Sequence, residues 1–116
     1  MLYLPHMETI TYEEFKKMDI RIGTIREIEP IEGTDKLLCC QIDFGEEPRQ
    51  IISGIREFYP DYETLIGKQV LYIVNLEPRE IRGHMSHGML MAVNGTSGQP
   101  VFLVPDEPVE PGSKVR

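Results

Sequence analysis

Apolar and polar residues alternate along this chain in short runs, the period-two pattern of β-strands that bury one face. The pattern predicts five strands: residues 19–29, 36–44, 49–55, 69–76 and 88–93. A return segment, residues 101–104, follows a glycine-rich turn and predicts one further hairpin. Gly23 interrupts the first strand, and a lone glycine at such a place indicates a bulge or a sharp bend.

Two short helices are predicted outside these strands. Thr11 and Glu14 have the spacing of a capping box, in which the hydroxyl accepts from the backbone N–H of residue 14 and the carboxylate reaches back. Residues 58–67, between the third and fourth strands, form the second helix. Pro60 suits its first turn, and Gly67 is placed to end it.

Three strands, a helix and two more strands, with a bend in the first strand, is the element order of an all-β, five-stranded OB-fold barrel. An SH3-like barrel or a small sandwich has nearly the same strand count, and the helix between strands three and four favours the OB-fold. The prolines of residues 105–116 predict an extended tail across the barrel. We expect a single domain over residues 1–116. Residues 1–10 are expected to be a loose start, in which His6–Met7 is typical of a cloning scar.

The charge balance limits the ligands that the chain can bind. Twelve basic and nineteen acidic residues give a formal net charge of −7, which argues against indiscriminate binding of a polyanion. A nucleic-acid role therefore needs a local cluster of cations. No apolar run approaches the ~20 residues of a membrane span, and no signal-peptide pattern is recognisable. We therefore expect a cytoplasmic protein with no membrane partner.

No recognised catalytic or metal-binding pattern is present. Cys39 and Cys40 are adjacent, and neighbours on a strand point to opposite faces, so we predict one buried and one outward thiol without a disulfide. His84 and His87 have no third ligand nearby, which makes a poor metal pair. The chain has no P-loop, nucleophile elbow or dinucleotide-binding glycine motif. We expect no enzyme, no cofactor and no metal.

Residues 75–91, NLEPREIRGHMSHGMLM, place polar and special-backbone residues between two apolar runs. We call this segment the lip. Arg79 and Arg82 are three residues apart, so a helical turn would put both guanidiniums on one side, where they can contact neighbouring phosphates. The alternative is a solvated pair that Glu77 and Glu80 neutralise.

Other residues offer further contacts to a ligand. Asn75 either caps a turn through a backbone group or presents its amide to a base edge or a ribose hydroxyl. Ser86 can bond a phosphate or sugar and Met89 can lie against a base, or the two form a tight turn with the methionine in the core. His87 can donate a hydrogen bond to RNA beside the arginines. Four basic residues on the predicted barrel can extend a basic face, or can simply be solvated: Arg21, Arg26, Lys36 and Arg49.

Five segments of the chain, in order, resemble the tRNA-binding OB domain: MDIRIGTI, TDKLL, RQIISGI, LIGKQVLYIVNLEPREIRG and SHGMLMA. That domain lies at the C-terminus of many bacterial methionyl-tRNA synthetases. It also occurs as a free archaeal protein, the β subunit of that synthetase, and in the endothelial monocyte-activating polypeptide. The resemblance runs from about Phe15 to the C-terminus, and its most specific parts are N-L-x-P-R-x-x-R-G and S-x-G-M.

The resemblance implies a non-catalytic protein that binds tRNA by shape, alone or with an aminoacyl-tRNA synthetase, most of all the methionyl enzyme. It also implies a homodimer, for which Phe15, Met18 and the tail Val109–Val115 supply apolar surface. A related branch is a protein-export chaperone, so the alternatives are a peptide-binding module or a dimeric scaffold for a synthetase complex. Glu80 departs from the family, which often has a basic residue there. The expected tRNA contacts are Asn75, Arg79, Arg82, Ser86, His87, Met89, Lys36 and Arg49.

Overall fold

The computed structural model describes residues 7–116, so the cloning-scar hypothesis for His6 and the residues before it lies outside the described part. Helix α1 (Tyr12–Lys16) begins at the predicted capping box. The Thr11 hydroxyl accepts from the Glu14 N–H at 3.1 Å, and the Glu14 carboxylate accepts from the Thr11 N–H at 3.1 Å. These two bonds satisfy N–H groups that a helix start leaves without intrahelical partners.

Strands make up most of the regular structure that follows. In chain order, residues 7–116 contain β1 (Ile20–Pro30), β2 (Leu38–Asp43), β3 (Arg49–Ser53), β4 (Gln69–Ile73), β5 (Arg79–Ile81), β6 (His84–Ser86), β7 (Met89–Leu90), β8 (Ala92–Asn94) and β9 (Pro100–Phe102). One antiparallel sheet has the order β3–β2–β1–β4–β7. β5 with β6 and β8 with β9 form separate hairpins. The predicted fifth strand is therefore divided at Met91 between the main sheet and the last hairpin.

The main sheet curls into a nearly closed barrel. β1 pairs with β4 through residues 20–24 and with β2 through residues 24–30, so the two ends of one strand have different partners. On the far side, the His87 N–H donates to the Gln50 carbonyl at 2.9 Å, which holds the chain after β6 against β3. The largest side chains that the barrel buries completely are Leu38, Ile42, Ile51, Val70 and Tyr72. The all-β, five-stranded OB-like barrel of the sequence prediction is confirmed.

The bulge in β1 lies three residues beyond the predicted glycine. The register with β2 shifts between Ile25 and Glu27, so Arg26 is the extra residue. Gly23 serves close packing instead, because a Cβ there would overlap the side chains of Ile42 and Phe44. The glycine in the sequence therefore indicates the closely packed position in β1, and the bulge lies after it, at Arg26.

The segment between β3 and β4 is not one helix. It forms two 3-10 turns, Arg56–Phe58 and Tyr62–Leu65. Pro60 disfavours helical backbone in the residue before it, and Tyr59 accordingly has φ −132° and ψ 70°. The predicted helix is therefore replaced in its second half by the 3-10 turn Tyr62–Leu65. Gly67, with φ +93°, follows the end of that turn.

The adjacent cysteines behave as predicted. Both thiols are free, with Cys40 buried and Cys39 half-buried. Burial raises the pKa of Cys40 to about 12, so this thiol stays protonated near neutral pH. Within residues 7–116, no helix is long and apolar enough to cross a membrane.

The C-terminal tail runs extended beside the first half of β1, as its prolines predicted. The Ile22 N–H donates to the Ser113 carbonyl at 2.9 Å. Gly112 has φ +89° and lies so close to the Phe44 carbonyl that a Cβ would collide with it. The tail therefore completes the barrel wall where β1 has turned away from β2.

Gly112→Ala tests this close approach. We expect it to lower the free energy of unfolding by about 3 kcal/mol or more, since it adds a steric clash to left-handed backbone strain. Gly98→Ala is the matched control, because Gly98 has φ +80° with nothing within 4 Å of the added Cβ. Strain alone should cost it about 1–2 kcal/mol. Urea unfolding of both variants measures the difference, and equal losses would contradict the packing of the tail.

Candidate nucleic-acid interface

The middle of the lip is a β-hairpin, and not the helical turn that would put both arginines on one side. Arg79 pairs with Ser86 across the hairpin, and Ile81 pairs with His84. The two turn residues, Arg82 and Gly83, have φ +52° and +83°. Positive φ at both central residues is the type I′ geometry, whose twist matches that of paired strands. We refer to residues 79–86 as the hairpin.

A strand directs its side chains differently from a helical turn. Successive side chains on a strand point to opposite faces, so Glu80 faces away from Arg79. Arg79 and Ile81 line a small cavity together with Ser86 and Met89. Glu80, the residue that departs from the family pattern, therefore does not cover the arginine before it.

Arg79 and Arg82 form no ion pair within 4 Å in residues 7–116, although Glu77 lines the same cavity as Arg79. The ion pairs within residues 7–116 join Lys16 with Glu13, Arg21 with Asp19, and Arg26 with Asp43. None of these pairs includes a lip residue. Arg79 and Arg82 are both exposed, so in the described part of the chain their charges are available to an anion.

The tip of the hairpin meets the loop between β1 and β2. Arg82 lines a cleft of about 420 Å³ with residues 33–37, which include Lys36 and one acidic residue, Asp35. Arg56 stabilises this loop, because its Nη1 donates to the Thr34 carbonyl at 2.8 Å. Two cations beside one cleft are suited to an anionic group such as a phosphate. Lys36 and Arg82, far apart in sequence, are thus brought together.

Ser86 lies inside the protein instead of facing a ligand. Only 4% of its surface is exposed. Its Oγ accepts from the Ile52 N–H at 2.9 Å and donates to the Gly88 carbonyl at 3.1 Å. The hydroxyl therefore fastens the end of the hairpin to β3.

Asn75 fixes the beginning of the lip. Its Oδ1 accepts from the Asp19 N–H at 2.9 Å, and its Nδ2 donates to the Lys17 carbonyl at 2.6 Å. The neighbouring Asp19 carboxylate accepts two bonds from the Arg21 guanidinium, at 2.8 and 3.1 Å. These bonds hold the pKa of Asp19 below its usual range. The oxygen and the nitrogen of the Asn75 side-chain amide are thus both hydrogen-bonded to the segment that follows α1.

Three predicted contacts remain. Arg49 is bonded within the protein, whereas the side chains of His87 and Met89 are exposed. The Arg49 Nη1 donates to the Val74 carbonyl at 2.7 Å and to the His87 carbonyl at 3.3 Å. The His87 side chain itself is exposed. Met89 is 54% exposed, so it lies at the surface and not in the core.

Sequence reasoning missed the part of β3 that supports the hairpin. The Gln50 Nε2 donates to the Met85 carbonyl at 2.9 Å, while the Gln50 carbonyl accepts from the His87 N–H. These bonds join segments that are distant in sequence, and the alternation of residues within β3 carries no signal for them. They appear only when the barrel brings β3 and the hairpin together.

A family model described as "Putative tRNA binding domain" matches residues 20–114. The chain belongs to this tRNA-binding domain family. Family membership confirms the resemblance seen in the sequence and supports tRNA binding in place of catalysis. The family is typically non-catalytic.

Solved structures extend this assignment. The chain is similar to a MetRS-related protein from Pyrococcus horikoshii, with 34% identity, a TM-score of 0.86, and coverage of 95% of this chain and 100% of that one. It is similar to the chaperone CsaA from Bacillus anthracis, with 30% identity, a TM-score of 0.84 and coverage of 94% and 100%. The C-terminal domain of Plasmodium vivax p43 is 34% identical, with a TM-score of 0.72 and coverage of 84% and 58%.

Ser86→Ala tests how the hairpin is fastened. Removing the hydroxyl leaves the buried Ile52 N–H without its acceptor, so we expect a loss of about 1–3 kcal/mol in the free energy of unfolding. Ser97→Ala is the control, since Ser97 is exposed in the β8–β9 turn and should change stability by less than about 0.5 kcal/mol. Thermal unfolding of the two variants provides the measurement. A Ser86→Ala variant that is as stable as the Ser97→Ala variant would refute the role of Ser86 in anchoring the hairpin.

Proposed function

We propose that this protein binds tRNA without catalysing a reaction, on the barrel face between the β1–β2 loop and the hairpin. OB-folds bind oligonucleotides on the face of strands 2 and 3, flanked by the loops that correspond to these two segments. The observation that carries the proposal is the cleft in which Arg82 and Lys36 face the same space. Membership of the tRNA-binding family supplies the class of ligand.

The distribution of cations supports this choice of face. Arg21 and Arg26 are bound to carboxylates at 2.8 Å, so we do not assign them to the basic face that the sequence suggested. Lys36, Arg79 and Arg82 have no carboxylate within the 4 Å of an ion pair in residues 7–116. Arg82 and Lys36 at one cleft, with Arg79 on the same hairpin as Arg82, can attract phosphates although the whole chain carries a charge of −7.

Apolar side chains of the lip extend the proposed contacts beyond phosphates. Met85 is 40% exposed and Met89 is 54% exposed. Thioethers are polarisable and adaptable, so either methionine can pack on an unstacked base, and the His87 imidazole is a further donor. We assign Asn75 and Ser86 to holding the lip, because their polar groups are engaged within the protein.

The proposed biological setting is the cytoplasm, where the protein acts alone or with an aminoacyl-tRNA synthetase. The similarity to a MetRS-related protein supports the methionyl enzyme as the first partner to test. Non-catalytic binding is supported by membership of a family that is typically non-catalytic. Among residues 7–116, no cluster of three metal-ligating side chains occurs.

Replacing Arg79 and Arg82 by alanine tests the tRNA interface. We expect each change to weaken the binding of unfractionated tRNA about tenfold, because a charge-assisted hydrogen bond is lost. The dependence of log Kd on log salt should fall by about one unit per arginine, as fewer counterions are released. Lys68→Gln is the control, since Lys68 is exposed at the start of β4 while the lip follows its end.

Fluorescence anisotropy at several salt concentrations measures both quantities. Unchanged affinity and slope in both arginine variants would exclude the proposed interface. An equal effect of Lys68→Gln would show that only net charge matters. The same titration with an unfolded peptide tests the alternative function.

That alternative is a chaperone-like, peptide-binding module. It is favoured by the similarity to the chaperone CsaA and by the exposed apolar side chains Leu76, Met85 and Met89. Apolar contacts strengthen or persist at high salt, whereas phosphate contacts weaken. Tighter binding of the peptide than of tRNA at both low and high salt would replace the first proposal with this one.

We also propose a homodimer, in which α1 contributes to the interface. On α1, Phe15 is 38% exposed and Tyr12 is 70% exposed, and Met18, two residues beyond the helix, is 38% exposed. The helix and the residues just after it therefore have apolar surface that residues 7–116 leave uncovered. The tail that the sequence offered as a second apolar element is half-buried at Val109 and Val115 and pairs with β1. We therefore assign the proposed interface to the helix and not to the tail.

Sedimentation of the wild-type chain and of a Phe15→Glu variant tests the dimer. We expect a dimer at micromolar concentration for the wild type and a monomer for the variant, because a buried carboxylate at the interface is costly. Lys17→Glu provides a control with an added acid on the same exposed segment. A monomeric wild type would contradict the proposal, and a dimeric Phe15→Glu variant would place the interface elsewhere.

A further inference from the structure

We infer that Arg49 is a positioning residue, which holds the two sides of the hairpin in place and does not itself contact RNA. The inference rests on the proposed function, since it concerns how the lip is presented to tRNA. The sequence suggested the opposite role, a phosphate contact on a basic face. The geometry of the guanidinium decides between the two roles.

One nitrogen of Arg49 joins both connections of the hairpin to the barrel. Its Nη1 donates at 2.7 Å to the carbonyl of Val74, the residue before the lip begins. The same atom donates at 3.3 Å to the carbonyl of His87, directly after β6. The chain that leaves β4 and the chain that returns toward β7 are therefore held at one point.

The guanidinium is itself fixed from the barrel side. Its central carbon lies 5.7 Å from the centroid of the Phe44 ring, within the range of a cation–π contact. Arg49 pairs with Ile42 at the start of β3, so its backbone is part of the main sheet. The Arg49 side chain is half-buried, and its Nη1 is directed to two backbone carbonyls and not to a ligand.

The hairpin depends on such external bonds. β5 and β6 pair only with each other in the described sheets, and an isolated two-stranded hairpin is marginally stable in water. Apart from Arg49, the side-chain bonds between β3 and the hairpin come from Gln50 to Met85 and from Ile52 to Ser86. Those bonds reach only the returning strand, β6. Within residues 7–116, Arg49 is the residue of β3 whose side chain also bonds to the chain that leads into the hairpin, at the Val74 carbonyl.

Arg49→Met keeps an unbranched apolar stem at this position and removes the guanidinium with its donors. In the absence of RNA, we expect amide hydrogen exchange of residues 76–88 to accelerate about fivefold or more, while β1 and β2 exchange as in the wild type. With tRNA, we expect the affinity to fall about threefold to tenfold. The loss should be less than half as large, on a logarithmic scale, when Arg79 and Arg82 are already alanine, because Arg49 acts through the hairpin that carries them.

Arg49→Lys is the second variant, because it keeps the charge and one donor group and is the milder change to the fold. It should show the same exchange effect at smaller size and recover part of the affinity. Exchange that stays at the wild-type rate in both variants would overturn the positioning role. An equal loss of affinity with and without Arg79 and Arg82 would make Arg49 a direct RNA contact and also overturn it. If the wild-type chain fails to bind tRNA, the proposed function fails, and the exchange measurement alone decides the role of Arg49.

Discussion

The structure depends on β1, which hydrogen-bonds to different partners through its two ends. Thr24 is the shared residue, since it pairs with Asp43 of β2 and with Gln69 of β4. The two halves of β1 pair with different strands, and the bulge at Arg26 together with the close packing at Gly23 allows the sheet to curl between them. The tail then pairs with the end of β1 that β2 has left. The barrel, and with it the distance between the β1–β2 loop and the hairpin, follows from this arrangement.

In the proposed interface, some residues hold the hairpin in place and other residues contact the ligand. Buried or half-buried polar groups of the lip and of β3 hold the hairpin, as the two hydrogen bonds of Ser86 and the two of Arg49 illustrate. Exposed cations at the hairpin and at Lys36 remain for the ligand. An acidic protein can in this way present a small basic site. The support also lowers the entropy cost of binding, because the contacting side chains are carried on an ordered hairpin.

The sequence predicted the parts of the fold that local rules govern. The capping box at Thr11, the alternating strands and the opposite burial of the two cysteines each follow from periodicities or spacings of a few residues. The order of these elements, together with family resemblance, was enough for the OB-like barrel. The segment around Pro60 was less accurate, since the effect of proline on Tyr59 competed with the helix that the other residues favoured.

The site was less predictable because its geometry depends on long-range contacts. Spacing alone allowed Arg79 and Arg82 to share a helical face, and only the positive φ of Arg82 shows that the turn belongs to a hairpin. The inward hydrogen bonds of Asn75 and Arg49 reach backbone groups that are far away in the chain. No pattern within one strand reveals such partners. The sequence predicted Asn75 and Arg49 as ligand contacts, and the fold was needed to show that their polar groups bond within the protein.

We propose that tRNA lies on the face between the β1–β2 loop and the hairpin. The most direct test is a backbone amide NMR titration of the wild-type protein with unfractionated tRNA at low salt. We expect perturbed amides to cluster in residues 31–37, β2, β3 and the lip. We expect no change in a separate groove, which is lined by Lys68, Gln69 and residues 104–108. Perturbations confined to that groove or to α1, with the lip unchanged, would contradict the proposal.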